Sequence, residues 1–145
     1  MLFGHIESRE HRIAHMLKLR ELQEETGGFN AFIPLKYSCA NNSLSELGEV
    51  SKEEILRTIA ISRLALDNIP HIKAYWPMLG KKTSILAMEY GADDMDGTIE
   101  DSTKIYSMAG AEEQQPALAV AELRELALSS GFHIAERDSF YKIIS

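Results

Sequence analysis

Cysteine is nearly missing from the chain. Cys39 stands alone among 145 residues. A single thiol excludes an internal disulfide, a Cys-rich zinc site and an iron–sulfur cluster held by this chain's own residues. Basic charge is also scarce. Lys and Arg number 15 against 22 Asp and Glu, a net charge of -7. No stretch is strongly basic, so the face that a nucleic-acid backbone binder needs is lacking. No apolar run approaches the ~20 residues that span a bilayer. Met1 to His5 has neither the basic region nor the long apolar stretch of a signal peptide. The expectation is a reduced cytoplasmic compartment, with no nucleic-acid and no membrane partner.

Apolar residues make up 45% and charged residues 26% of the chain, as in ordinary globular proteins. A chain of this length is one domain's worth and buries a real core. Its pattern alternates. Leu2 to Ile6 reads as a strand. Ser8 caps a helix whose stripe is Ile13, Met16, Leu17, Leu19 and Leu22, and Thr26-Gly27-Gly28 stops it. Ala31 to Tyr37 is a second strand, interrupted by Pro34. A polar loop runs from Ser38 to Val50, long enough to suggest function. Ser51-Lys52-Glu53-Glu54 opens a helix as a capping box, and Ile69-Pro70 ends it. His71 to Trp76 is the third strand, and a third helix runs from Gly80 to Gly91. Ala92 to Thr98 is a short acidic strand, Ser102 to Glu113 a linker, and Ala117 to Leu128 a helix started by Pro116. The remainder, after Gly131, is a tail with a short strand at His133-Ile134-Ala135.

The order β-α-β-α-β-α-β-α predicts an α/β fold with a parallel sheet and right-handed crossovers. Four βα units fit half of an eight-fold barrel, with a small doubly wound sheet as the rival. The expected division is 1–131 for the half-barrel of four βα units and 132–145 for a C-terminal tail packing on it.

Strand parity picks out the candidate pocket. Successive side chains alternate faces. His5 and Glu7 share one face of the first strand, and Asp94, Asp96 and Thr98 share one face of the fourth. Charge is unfavourable against the helices, so this face should point to the barrel interior, near the strand C-termini where barrel sites lie. Parity also puts Tyr75 with Lys73, and Trp76 opposite them. The competing reading is plain: the acids cap the next segment or meet solvent, and Tyr75-Trp76 is core.

Other motifs dissolve on counting. Asp93-Asp94-Met95-Asp96-Gly97 resembles a calcium loop, but the twelfth position is Lys104 or Ile105 instead of Glu. His11 and His15 stand i, i+4 on a helix, but Arg12 occupies the place of the zincin Glu, and a polar helix face explains both. Gly80-Lys81-Lys82-Thr83-Ser84 lacks the first glycine of a P-loop, since Tyr75 stands there. What survives is a weak anion site at that helix start, with solvated lysines as the simpler account. Cys39 has no local His partner and reads as a passive thiol.

Longer blocks carry a resemblance. Met1-Leu2-Phe3-Gly4-His5-Ile6-Glu7 and Glu25-Thr26-Gly27-Gly28-Phe29-Asn30-Ala31-Phe32-Ile33-Pro34-Leu35 look like the later strands of the radical S-adenosylmethionine enzymes of futalosine and deazaflavin biosynthesis. Arg57-Thr58-Ile59-Ala60, Leu66 to Trp76, Gly91 to Thr98, Ala109-Gly110-Ala111 and Glu136-Arg137-Asp138 extend the match over nearly the whole chain. Lys73-Ala74-Tyr75-Trp76 and Asp93-Asp94-Met95-Asp96-Gly97 make it most similar to the aminofutalosine synthase family of menaquinone biosynthesis.

The resemblance implies a (βα)8 barrel with a four-iron four-sulfur cluster that cleaves S-adenosylmethionine to a 5′-deoxyadenosyl radical. That radical adds to the enol ether of 3-[(1-carboxyvinyl)oxy]benzoate, and loss of the carboxylate gives aminodeoxyfutalosine. Ribose hydroxyls would suit Asp96 or Glu7, and substrate carboxylates would suit His5, Thr98 or Lys73. Tyr75 and Asp94 complete the expected substrate-binding set. The family's Cys-x3-Cys-x2-Cys loop is missing, so the chain resembles only the C-terminal half of such an enzyme. The expectations are therefore a substrate-side half that binds neither cluster nor S-adenosylmethionine by itself and is inactive alone. Its partner would be the missing N-terminal half, or a second copy joined through the open sheet edges. The rivals are a non-catalytic half-barrel binding module and a sister enzyme, dehypoxanthine futalosine cyclase or the deazaflavin synthase subunit.

Overall fold

A computed structural model describes residues 1–96 and 117–144. The elements are β1 (Leu2–Phe3), α1 (Arg9–Thr26), β2 (Ala31–Phe32), β3 (Leu35–Lys36), a 3-10 turn (Ser45–Leu47), α2 (Lys52–Ala65), β4 (His71–Ala74), α3 (Trp76–Leu79), α4 (Lys81–Glu89), β5 (Asp94–Met95) and α5 (Val120–Ser129). Every ladder is parallel. β1 pairs with β3, β2 with β4, and β4 with β5.

The second strand is split, and Pro34 is the reason. It has no N–H to give to a ladder. Up to Phe32 the chain pairs with β4; from Leu35 it pairs with β1. The seam is tied by the Met1 ammonium donating to the Ile33 carbonyl at 2.8 Å and by the Leu35 amide donating to Met1 O at 2.8 Å. Four strand positions thus run side by side in chain order, each followed by helix in the first three units. This is half of a βα barrel.

One face of the sheet is packed. Phe3, Phe32, Ile72 and Ala74 meet Met16 of α1, Ile55, Leu56 and Ile59 of α2 and Ala87 of α4 in one core. Burying each large side chain contributes about 1.5–3 kcal/mol. The alternate strand residues, Leu2, Ala31, His71 and Lys73, point to the other face, as period two requires. Gln23 is a buried polar residue of α1 that joins loops. Its amide nitrogen donates to Phe29 O (3.0 Å) and Asn68 O (3.2 Å), and its Oε1 accepts from the Phe29 amide (2.8 Å).

Several boundaries differ from the sequence expectation. β1 ends at Phe3, because Gly4 takes φ +90° and breaks the extended run. His5 and Glu7 therefore lie in a turn and share no strand face. β4 ends at Ala74, and Trp76 starts α3 with Pro77 in its first turn, so Tyr75 is a helix cap and not a strand residue. At α2, Ser51 does accept from the Glu54 amide, but the Glu54 carboxylate turns to Arg9 and Arg12 and leaves the capping box half made. A full box forms at α1 instead: Ser8 Oγ accepts from the His11 amide, and His11 Nδ1 accepts from the Ser8 amide. His133-Ile134-Ala135 is not a strand; the tail instead makes an antiparallel bridge between Arg137 and Ile143. Thr98, the 102–113 linker and Pro116 lie outside the described residues. No helix of the described residues is long and apolar enough to cross a membrane.

Candidate functional site

The C-termini of β1–β5 all open toward one end of the sheet, because every pairing among these strands is parallel. That end is where barrel enzymes carry their chemistry. The turn Gly4–Glu7 follows β1, Tyr37 follows β3, Tyr75 follows β4 and Asp96 follows β5.

Lys73 and Asp96 meet there. Lys73 Nζ donates to Asp96 Oδ1 at 2.8 Å, and Asp94 Oδ2 lies 3.7 Å from the same ammonium. The register explains this: Lys73 sits opposite Asp94 across β4–β5, and Asp96 is two residues on, on the same face. The polar faces that parity gave to Lys73 on one strand and to Asp94 and Asp96 on the other thus meet. Asp96 Oδ2 is buried and has no hydrogen-bond partner among the described residues. A buried carboxylate oxygen left open costs free energy, unless a ligand's donor fills it.

Asp94 is occupied differently. Arg137 clasps it with two bonds, Nε at 3.0 Å and Nη2 at 2.7 Å, and the Tyr141 hydroxyl donates to it at 2.8 Å. Tyr141 also stacks on His71 at a centroid distance of 4.1 Å, and the Arg137 guanidinium lies 4.0 Å over the Tyr141 ring. Burial, then the Asp94 carboxylate beside it, pushes the Tyr141 hydroxyl pKa up, so it stays a donor. His71 begins β4, so the tail lies against the sheet from the start of β4 to Asp94, on the face away from the core.

Glu7 is likewise saturated. Its Oε1 accepts from the Gly4 amide (2.6 Å) and from Arg12 Nε (2.5 Å), and its Oε2 accepts from the His5 amide (3.0 Å). Burial alone would raise its pKa, but the two amides and the guanidinium outweigh that and hold it at about 2. Arg12 in turn bonds Glu54 at 2.7 Å and lies over the Phe3 ring. His5 remains, its side chain 22% exposed, packed edge-on against the Tyr37 ring at 6.0 Å.

Of the expected set, His5, Lys73, Tyr75 and Asp96 lie at the strand C-terminal end. Glu7 and Asp94 lie nearby with their oxygens spent on the protein. Thr98 lies outside the described residues. Sequence reasoning missed Arg12, Arg137 and Tyr141. All three act across 5 to 47 residues of chain, and only the unmatched acids Glu7 and Asp94 hinted that cations must come to them.

A metal cluster finds no fitting donors. An iron–sulfur cluster needs several thiolates. Cys39 is the chain's one thiol. Its Sγ donates to Glu49 Oε1 at 3.2 Å, and that carboxylate raises its pKa and opposes the thiolate. Among the described residues no three His, Cys, Asp or Glu gather as metal ligands. A cleft of about 630 Å³ between α4, β5, α5 and the tail is lined by Ile85, Met88, Leu123 and Phe132; it takes in Asp94 but neither Lys73 nor Asp96.

Comparison with known proteins places this geometry in a family. Aminodeoxyfutalosine synthase of Streptomyces coelicolor is 41% identical over 154 aligned positions, covering 99% of this chain and 40% of that protein. The enzyme of the same name from Thermus thermophilus is 42% identical, covering 98% of this chain and 39% of that protein. Cyclic dehypoxanthine futalosine synthase of Streptomyces coelicolor is 41% identical over 85% of this chain and 31% of that protein. The chain thus spans about two-fifths of the length of these curated relatives. The model of the CofH/MqnC C-terminal region matches residues 26–144, and the chain belongs to that family.

Proposed function

We propose that this chain is the C-terminal, substrate-holding part of a radical S-adenosylmethionine enzyme that makes aminodeoxyfutalosine for menaquinone biosynthesis. The observation that carries this reading is the Lys73–Asp96 pair at the strand C-terminal end, with one buried Asp96 oxygen open to a ligand. Lys73 supplies a cation for a substrate carboxylate, and the open Asp96 oxygen accepts from a ribose hydroxyl. Identity to two aminodeoxyfutalosine synthases over nearly the full chain supports the choice of reaction. The donor set of this chain does not fit the cluster, so the cluster and the radical chemistry belong to polypeptide other than these 145 residues, and this chain alone is inactive.

The test is reconstitution. This chain is mixed anaerobically with a cluster-bearing N-terminal part of a relative, S-adenosylmethionine and the enol-ether benzoate, and product is read by mass. Aminodeoxyfutalosine from the mixture, with at least tenfold less from the Lys73→Met or Asp96→Asn chain, is the expected result. Product and a reconstituted cluster from this chain alone would overturn the proposal. A second reading, a half-barrel that binds without catalysis and pairs with a copy of itself, rests on the outer edges of β1 and β5, which carry no strand partner among the described residues.

A further inference from the structure

We infer that Glu7 is a positioning residue that fixes His5 as the Nε2–H tautomer, making that N–H a preset donor at the strand C-terminal end. The Ile6 amide aims its hydrogen at His5 Nδ1 across 2.7 Å. A proton on Nδ1 would face that amide hydrogen head-on, so the nitrogen is an acceptor and the ring proton sits on Nε2. This contact exists because the turn is tight. Gly4 holds φ +90°, and a Cβ there would lie 2.3 Å from Val50 Cγ2. Glu7 closes the turn from below by accepting the Gly4 and His5 amides, one on each oxygen, with Arg12 holding the carboxylate. Glu7 Oε2 also lies 3.3 Å from Nδ1, but the nitrogen has a single in-plane position for hydrogen and the Ile6 amide hydrogen occupies it at 2.7 Å, so that amide decides the tautomer. Nε2 has no hydrogen-bond partner among the described residues, and the ring is braced by Tyr37, whose own hydroxyl donates to Asn42 Oδ1 at 2.6 Å.

The inference rests on the proposed function for one thing, the acceptor. A substrate bearing carboxylates gives the Nε2–H an oxygen to meet. Glu7, which strand parity set among the expected ligand contacts, acts here through the turn.

The experiment reads the tautomer directly. Imidazole nitrogen resonances of His5 are assigned in the 15N-labelled full chain at pH 8, using His5→Gln to identify them. One protonated nitrogen at Nε2 and one unprotonated at Nδ1 is the expected result; a protonated Nδ1 overturns the inference. Glu7→Gln and Glu7→Asp should both mix the tautomers, the first by losing the charge that Arg12 holds, the second by losing reach to one amide. Retention of pure Nε2–H in whichever of the two stays folded, judged by amide dispersion, overturns the positioning role. Benzoate is then titrated in. A shift of the Nε2 resonance supports the substrate reading, and its absence counts against that reading while the tautomer result stands by itself.

Discussion

Glu7 offers the sharpest test of single-residue energetics. Its carboxyl is held at about 2 in the folded chain, against 4.5 for a free side chain. A depressed folded pKa means stability that is fully present above the unfolded value and is lost as pH falls toward the folded one. Between about pH 4.5 and 2 the fold should therefore lose roughly 3 kcal/mol through this group. Urea unfolding followed across that window should be steep in the natural chain and flatter by that amount in Glu7→Gln; equal slopes would show that the turn does not bind the carboxylate. Gly4 gives a second test at the same turn. Gly4→Ala adds a Cβ against Val50 and strains a positive φ, which costs about 2–3 kcal/mol. Gly27→Ala meets nothing within 4 Å and strains only the backbone, so it should cost about 1 kcal/mol. Thermal or urea midpoints that rank these two the other way would contradict the close approach at Gly4.

Period and punctuation made most elements readable. Ser8, Thr26-Gly27 and Ser51 mark helix ends as read, but α2 stops at Ala65, before Ile69-Pro70, and of the expected stripes Leu17, Leu22 and Leu64 stay exposed while Met16, Ile55 and Ile59 are buried. The ends of strands were not readable, because they depend on tertiary register. Gly4 looks like any strand glycine until Val50 is seen against it, and Tyr75-Trp76 looks like strand until Pro77 closes a helical turn. Parity placed Lys73 and Asp96 on polar faces of their strands, but their meeting was not legible, because it depends on the β4–β5 register that sets Lys73 opposite Asp94. The fates of Glu7 and Asp94 were not legible either, because their cations come from a neighbouring helix and from the tail. The tail is the element this makes testable. Arg137→Met removes both charged bonds to an Asp94 side chain that is only 8% exposed, and should lower stability by about 2–3 kcal/mol. Tyr141→Phe removes one bond to the same charge and should cost about 1.5 kcal/mol. In an Asp94→Asn background the Arg137→Met cost should shrink to under half, because the charge it answered is gone. Unfolding that shows full additivity would mean the tail docks without this contact.

A parallel four-position sheet with helices on one face is an incomplete solid. A closed barrel has no edges and its inner face meets itself. Here β1 and β5 each keep one edge without a strand partner among the described residues, and Leu2, on the face away from the core, is 54% exposed. Such edges pair with other strands unless charge or proline blocks them. In a relative about two and a half times as long, further chain is available to pair with them. For these 145 residues alone, a second copy is the available partner, and β1 against β5 of its neighbour gives two equivalent contacts around a twofold axis. Sedimentation at micromolar concentration should therefore show a dimer. Leu2→Lys places a charge on the exposed face of an edge strand while leaving Phe3 in the core, and should shift the species toward monomer without lowering helix content. A monodisperse monomer of the natural chain would mean that the tail and α5 satisfy the open face by themselves, since Arg137 and Tyr141 already cover Asp94 and His71 there.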